Sequence, residues 1–301
     1  MLKNKGQIWN KINPHTFYLG SLVLFICFVL YPILSQYYFG LFEWPGFGPT
    51  IFIGTKNYRD MLNSNAVKVA FKNNLIFFAI YFVGLNLHSL ITALLLSVKF
   101  RGKLLITRGN AFFRVAFFAP AVISQVVMAT ILRHVFRNQG ILNYLLTILH
   151  LDFLKQNWLA DPNLVLYTIA ITSIVFWFGY YTLIYYAGIT NIPEELLEAA
   201  NIDGATLFQS LRYIVLPLLK QAFIMVSVLT FIGSFRIFEL PLILTQGGPG
   251  YASTVVSLLV VIESLRYFKY GYGVAISSIV TLFLFGAIFF YIKYFSKGIK
   301  R

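Results

Sequence analysis

The chain reads as an all-α, polytopic membrane protein with six transmembrane helices, on three observations. Of its 301 residues 58% are hydrophobic and only 11% charged, and the mean hydropathy is +0.75, outside the range of globular domains that fold in water. A bilayer core about 30 Å thick needs about 20 predominantly apolar helical residues to cross it, and six stretches are long enough. Basic residues gather in segments that an even number of crossings places on one side.

The first span is expected at Phe17–Tyr38, too long for a signal-peptide core and without a small-residue cleavage site, so it reads as a retained helix. An outer loop of residues 40–72 follows, aromatic first and then polar around Gly54-Thr55-Lys56-Asn57-Tyr58. The second span is Asn74–Ser97 and the third Ala111–Phe136. Next comes a second outer segment, with Asn138-Gln139-Gly140 as a turn signal and Ile141–Leu151 as an apolar helix too short to cross. The fourth span is Leu164–Thr190 and the fifth Val215–Leu240. The Thr245-Gln246-Gly247-Gly248-Pro249-Gly250 string then excludes a continuing helix. After it, Thr254–Ile262 is apolar but short, and Gly271–Phe295 is the sixth span. No repeat of fixed period and no low-complexity tract appears.

Orientation follows the basic residues, which resist translocation. Lys3, Lys5 and Lys11 precede the first span; Lys99, Arg101, Lys103, Arg108 and Arg114 follow the second; Lys293, Lys297, Lys300 and Arg301 close the chain. Six spans put these groups together on the cytoplasmic side, with both termini. The net charge of +14 is then explained by orientation and by anionic lipid headgroups, not by nucleic acid. Cys27 stands alone inside the first span, so an intrachain disulfide and a cysteine-rich metal site are excluded.

One polar island interrupts this pattern on the cytoplasmic side. Glu194, Glu195, Glu198 and Asp203 are four of the ten acidic residues in the chain, and they fall within ten positions. Asn191 precedes Glu194 at capping-box spacing, and Pro193 suits a first helical turn. The carboxylates sit where a helix dipole favours them. Ala199, Ala200, Gly204 and Ala205 offer almost no bulk, and Gly204 can adopt positive φ. Thr206–Tyr213 can form a second short helix before Leu216-Pro217 re-enters the membrane. The outline is helix, tight turn, helix, lying along the membrane surface.

Glu198-Ala199-Ala200, Asp203-Gly204-Ala205, Ile214 and Leu216-Pro217 together resemble the EAA loop of permease subunits in ATP-binding-cassette importers, over about twenty positions. Two departures are Leu211, where the family often has Phe, and Gln221, where a second Pro often follows. Further landmarks of carbohydrate-uptake permeases of the maltose type stand in family order: Phe113-Arg114 with Pro120, Gly140-Ile141-Leu142-Asn143, the Gly-Gly-Pro string, and Tyr270-Gly271-Tyr272-Gly273. The resemblance implies the type I importer permease fold over residues 71–294, with the coupling loop at 193–217, an N-terminal portion at 1–70 and a basic tail at 295–301. It is similar in particular to the first of two permeases. This implies a heterodimer with a second permease subunit, two ATPase subunits that bind the ATP and Mg, an external solute-binding protein and a sugar substrate, in the cytoplasmic (inner) membrane of a prokaryote. Glu198, Ala199, Ala200, Asp203, Gly204, Ala205, Leu216 and Pro217 would carry ATPase coupling.

Polar groups inside spans are costly and so become pathway candidates. Thr230, Ser234 and Ile237 recur at helical spacing in the fifth span, where the resemblance places a sugar site. Gly179 and Thr182 form a second candidate wall, with Phe178, Tyr180 and Tyr181 as aromatic neighbours suited to a sugar. Arg236 and Glu239 are spaced to pair at i, i+3 as an intramembrane ion pair; if they contact solute instead, an acidic or phosphorylated ligand follows. Arg133 and His134 read as interfacial anchors and His88 as a packing residue.

The chain lacks a phosphate-binding Gly-x-x-x-x-Gly-Lys-Ser/Thr loop, His-Glu-x-x-His, Cys-x-x-Cys and Gly-x-Ser-x-Gly strings. It is expected to bind no cofactor or metal and to catalyse no reaction. Two alternatives remain: import of a polar derivative such as glycerol phosphate, and an ion-coupled secondary transporter, which would ordinarily show internal repeats and midplane ionisable residues.

Overall fold

The computed structural model describes residues 14–97, 99–100, 103–104 and 110–296. The basic residues Lys3, Lys5, Lys11, Arg101, Arg108, Lys297, Lys300 and Arg301 lie outside them. In chain order the helices begin with α1 (Pro14–Phe25), a π-helical turn and α2 (Tyr31–Phe39), which form one continuous crossing, Tyr18–Phe39. A β1–β2 hairpin (Phe42–Glu43 with Ile51–Phe52) and α3 (Lys56–Asn63) build the first outer connection. Then follow α4 (Asn65–Ser97), the short β3–β4 pair (Lys99–Phe100, Lys103–Leu104), α5 (Asn110–Val122), α6 (Gln125–Val135), α7 (Ile141–Ile148) and α8 (Val165–Thr190). The rest are α9 (Glu194–Ile202), α10 (Leu207–Ser210), α11 (Leu216–Leu218), α12 (Lys220–Arg236), α13 (Glu239–Thr245), α14 (Val256–Val261) and α15 (Tyr270–Ser296).

Four of these segments are long and apolar enough to cross a bilayer unbroken, and two bent helix pairs raise the number to six. Both bends depart from the straight spans expected. The third crossing turns by 101° between α5 and α6. Pro120, inside α5, has no N–H to donate and crowds the preceding turn; the chain closes with Ile123 N donating to Pro120 O at 3.2 Å and restarts at Ser124. The fifth crossing bends by 64° at Leu219, two residues after Pro217. It ends at Arg236, because Ile237 is extended (φ −60°, ψ 123°) and Glu239 opens a separate helix, so the span does not reach Leu240.

The described residues form two compact units. One holds the residues up to Ser64 with Val260–Phe283; the other holds Asn65–Leu259 with the residues from Leu284 onward. Within the first, Gly271 N donates to Trp44 O at 3.0 Å, and a side chain at Gly271 would collide with the carbonyl of Phe42. The start of α15 therefore lies directly against the hairpin.

In the second unit α8 is the central element, with 56% of its membrane window buried against 0% for the Tyr18–Phe39 crossing. Its aliphatic core includes Val165, Ile169, Val215, Val226, Leu258 and Leu259. Buried polar side chains here act as clamps rather than sites. Tyr185 Oη donates to Asn86 Oδ1 at 2.6 Å, joining α8 to α4. Asn74 donates to Ser234 O at 2.8 Å and accepts from Val256 N at 2.7 Å, tying α4 to α12 and α14. Asn73 Nδ2 meets the carbonyls of Tyr251, Ala252 and Thr254, and so pins the loop after the Gly-Gly-Pro turn to α4. Each satisfies backbone groups that would otherwise be buried without partners. In the Val256–Val261 helix, Val256, Leu258 and Leu259 are buried.

Candidate functional site: a coupling loop joined to a membrane cavity

The acidic island folds as two short helices separated by a tight turn, and the turn has a defined closure. Asp203 ends α9; Gly204 N donates to Asn201 O at 3.2 Å and Ala205 N to Ala200 O at 2.9 Å, the paired bonds of a Schellman motif. Gly204 has φ +78°, and a Cβ there would meet nothing within 4 Å. Glycine is thus required by conformation, not by space inside this chain. The expected box at Asn191 is not formed: Asn191 caps the end of α8, and Pro193, at the N-cap of α9, has no side chain to offer. Glu194 and Glu195 in the first turn compensate through the dipole.

The capping box lies one turn later. Thr206 accepts from Gln209 N, and Gln209 Oε1 accepts from Thr206 N at 2.8 Å. The Thr206-x-x-Gln209 spacing of this box is visible in the sequence. Around this frame Ile202 is 87% exposed, and Phe208 and Tyr213 are each 71% exposed. These large apolar groups stand open on a loop closed by its own hydrogen bonds. Leu216 and Pro217 stand on the surface of the chain where the loop turns into α12, whereas neighbouring Val215 is fully buried. Glu198, Ala199, Asp203 and Gly204 are exposed, and Ala200 and Ala205 are half-buried.

The helix that leaves this loop forms one wall of a cavity. The cavity has a volume of about 340 Å³ and is lined from α4 by Phe77 and Tyr81, from α8 by Ser173, Trp177 and Tyr181, and from α12 by Leu229, Ile232, Gly233 and Arg236, with Gln125, Ile237 and Glu239. At Gly233 a Cβ would stand at ordinary contact distance from Tyr181 Oη (3.8 Å) and Tyr81 Cε1 (3.9 Å), so the two tyrosines bound the space next to this position. The bend between α5 and α6 supplies Gln125, the first residue of α6.

Of the pathway candidates, Ile237 lines this cavity and four others are placed in packing. Thr230 and Ser234 are 0% exposed, and their hydroxyls donate to carbonyls of their own helix, Val226 and Ser227 for one and Phe231 for the other. Thr182 is buried and donates to Phe178 O at 2.8 Å. Gly179 is a helix crossing: a side chain there would strike the Phe117 backbone. Tyr181 reaches the cavity, whereas Phe178 packs edge-on to His88, 4.4 Å between ring centres, and against Phe117. Helical spacing alone could not tell these faces apart, because the polar residues of α8 and α12 are spread around the helix and mark no single face.

Arg236 and Glu239 do not form the expected i, i+3 pair. The helix that would have aligned them stops at Arg236, and the ion pairs among the described residues are Lys155–Asp152 and Lys269–Glu263. Both side chains line the cavity instead. Gln125, Trp177 and Gly233 were missed; a polar pair, Ser124-Gln125, close after Pro120 was the signal for the first. Among the described residues no group of three His, Cys, Asp or Glu is placed to hold a metal ion.

Apolar helices long enough to cross a membrane, with a cavity of mixed polar and apolar lining among them, are the architecture of a membrane permease. The chain belongs to the family described as the binding-protein-dependent transport system inner membrane component, whose model matches residues 66–301. It is 34% identical over 291 residues to the probable ABC transporter permease protein YurN of Bacillus subtilis, covering 96% of this chain and 98% of that one. It is 29% identical to the trehalose/maltose transport system permease protein MalF of Thermococcus litoralis, over 91% and 90% of the two chains. Its fold matches the crystal structure of a bacterial ABC transporter involved in import of the acidic polysaccharide alginate, with a TM-score of 0.79, 20% identity and 94% coverage of both chains. The protein is thus a multi-pass membrane component of a transporter that works with a solute-binding protein.

Proposed function

We propose that the chain is the permease subunit of an ATP-driven importer that moves a sugar or oligosaccharide across the cytoplasmic membrane of a prokaryote by alternating access. One observation carries the reading: the segment closed by the Schellman turn and the Thr206–Gln209 box runs through Leu219 directly into α12, which lines the cavity with Leu229, Ile232, Gly233 and Arg236. A push on the loop therefore reaches the cavity wall through one connection, the bend at Leu219. The cavity's aromatic rings and scattered hydrogen-bonding groups suit a sugar, and names of relatives point the same way.

In this reading the loop faces the cytoplasm, as do both termini. The exposed Ile202 and Phe208 seat in one of two ATPase subunits, which bind the ATP and Mg. A second permease subunit completes the pathway, an external receptor delivers the solute, and lipid surrounds the rest. This chain binds no nucleotide, metal or nucleic acid and catalyses no reaction. Arg236, which has lost its expected partner and lines the cavity, favours a second reading in which the sugar carries an anionic group, as glycerol phosphate derivatives do.

Gly204→Glu tests the coupling role. The substitution places a charged side chain at a positive-φ position on the tip. Uptake is expected to be abolished while the receptor still captures solute and the subunit still inserts; normal uptake by a well-expressed mutant would refute the proposal.

A further inference from the structure

The helix α7 (Ile141–Ile148) follows the third crossing and is too short to cross a bilayer itself. It has two apolar sides. Asn143 is buried and Leu142 and Leu146 are half-buried, so one side packs inward. On the other, Ile141, Tyr144, Leu145, Ile148 and the C-cap residue Leu149 recur at i, i+3, i+4, i+7 and i+8 and are 47% to 65% exposed, the stripe that a surface helix ordinarily turns to an apolar partner. The helix is not free to swing this row away. Asn143 Nδ2 donates to Asn138 O at 2.8 Å and to Gln156 O at 3.0 Å, while its Oδ1 accepts from Trp158 Nε1 at 2.8 Å, so one buried amide binds α7 to the segments before and after it.

The same bonds fix its level. Thr168 Oγ1, in the first turn of α8, donates to Trp158 O at 3.1 Å, which ties α7 through Trp158 to the start of the fourth crossing. The 26 residues of α8 span about 39 Å at about 1.5 Å each, against a hydrocarbon core of about 30 Å. Centred in the bilayer, α8 leaves about 4–5 Å at each end among the headgroups, and Thr168, three residues after Val165, stands at about that boundary. The exposed apolar strip of α8, Tyr167, Ile171 and Val175, begins in the same turn. Charge fits this level as well. Among the described residues Lys155 and Asp152 neutralise each other, whereas Arg133 and Arg137, exposed on the approach to α7, enter no ion pair. An apolar row beside two open guanidinium groups, held where a crossing meets the headgroups, is complementary to the acyl chains and phosphates of a leaflet.

We propose that α7 is an interfacial anchor: its exposed row lies in the leaflet at which α8 begins, and Arg133 and Arg137 contact the phosphates of that leaflet. The proposal needs only a chain that resides in a membrane, and it stands apart from the solute and the energy source of the proposed function. Spin-label accessibility tests it. In the full chain with Cys27→Ala, a nitroxide is attached at Leu145→Cys or Ile148→Cys, on the row, or at Thr147→Cys, which is exposed on the same helix but outside the row. Each protein, with any subunit that co-purifies, is reconstituted into vesicles of mixed phosphatidylcholine and phosphatidylglycerol. Collisions are then measured with oxygen, which concentrates among acyl chains, and with a neutral nickel chelate, which stays in water. The ratio of oxygen to nickel collisions is expected to be severalfold higher at positions 145 and 148 than at 147, and Tyr144→Cys or Leu149→Cys takes the place of any variant that fails to purify. Arg133→Glu combined with Arg137→Glu should lower the ratio at position 145 severalfold, since carboxylates repel lipid phosphates. A ratio on the row no higher than at 147 overturns the proposal. So does a row that neither probe reaches, which another protein subunit would then cover, and so does a ratio indifferent to the arginine substitutions.

Discussion

Gly233 is a residue whose role is to contribute nothing. It lines the cavity on α12, where a Cβ would reach ordinary contact distance from two tyrosines, so alanine fits and any longer side chain enters the lumen. Gly233→Leu should fill the space without disturbing the buried clamps at Asn73 and Asn74, which act through other residues. Solute uptake by cells carrying the variant is expected to fall by more than about tenfold, whereas Gly233→Ala should lose only a few-fold, in line with the roughly 1–3 kcal/mol that one or two methylenes command in a pocket. Equal loss from both would show that the position serves packing. Thr230 and Ser234 teach the opposite lesson: polar residues in a span were good candidates by cost, yet the backbone of their own helix already satisfies them.

At the level of elements, the loop between α8 and α12 owes its rigidity to local hydrogen bonds, since both of its short helices are below the length that is stable alone. The Thr206–Gln209 box is reciprocal, so each partner's loss removes most of what the other contributes. Thr206→Ala should therefore speed amide exchange across residues 207–213 by about fivefold, corresponding to a cap worth about 1 kcal/mol. Gln209→Ala should do nearly the same, and the double variant little more than either alone. Strictly additive effects in hydrogen exchange would mean that the two side chains act separately. The bends after Pro120 and at Leu219 belong to this scale as well. Both prolines were legible in the sequence; the angles were not, because a proline removes a donor without dictating where the chain then goes.

For the whole molecule, the number of crossings decides which surfaces share a side of the membrane. With each bent pair counted as one crossing there are six, and the fifth separates the Asp203 turn from the Gly-Gly-Pro loop, which the proposed function places on opposite sides. With Cys27 replaced by Ala, Asp203→Cys should react with a membrane-impermeant maleimide only after cells are permeabilised, and Gln246→Cys, on an exposed αL residue, should react in intact cells. Labelling of both from one side would remove a crossing and with it the coupling argument. The Gly-Gly-Pro loop is held by its own side chains, with Thr254 Oγ1 donating to Gly247 O at 2.9 Å and Thr245 and Ser253 hydroxyls 2.6 Å apart, and by Asn73 from α4.

Insertion, the order of the crossings and the site of the surface loop could be read without coordinates, because they depend on chain-local quantities: runs of apolar residues, placement of charge, and turn residues at close spacing. The Glu198–Ala205 stretch forms its helix and turn from neighbours within a few positions, so its sequence was enough. The cavity was not open to that kind of reading. Gln125, Trp177, Gly233 and Arg236 come from three helices and meet only through their crossings and bends, and the polar residues of α8 and α12 are spread around the helix, which erases the periodicity that would mark an inward face. Which polar group looks into a lumen and which turns back on its own backbone is a consequence of packing, and it was settled when the helices came together.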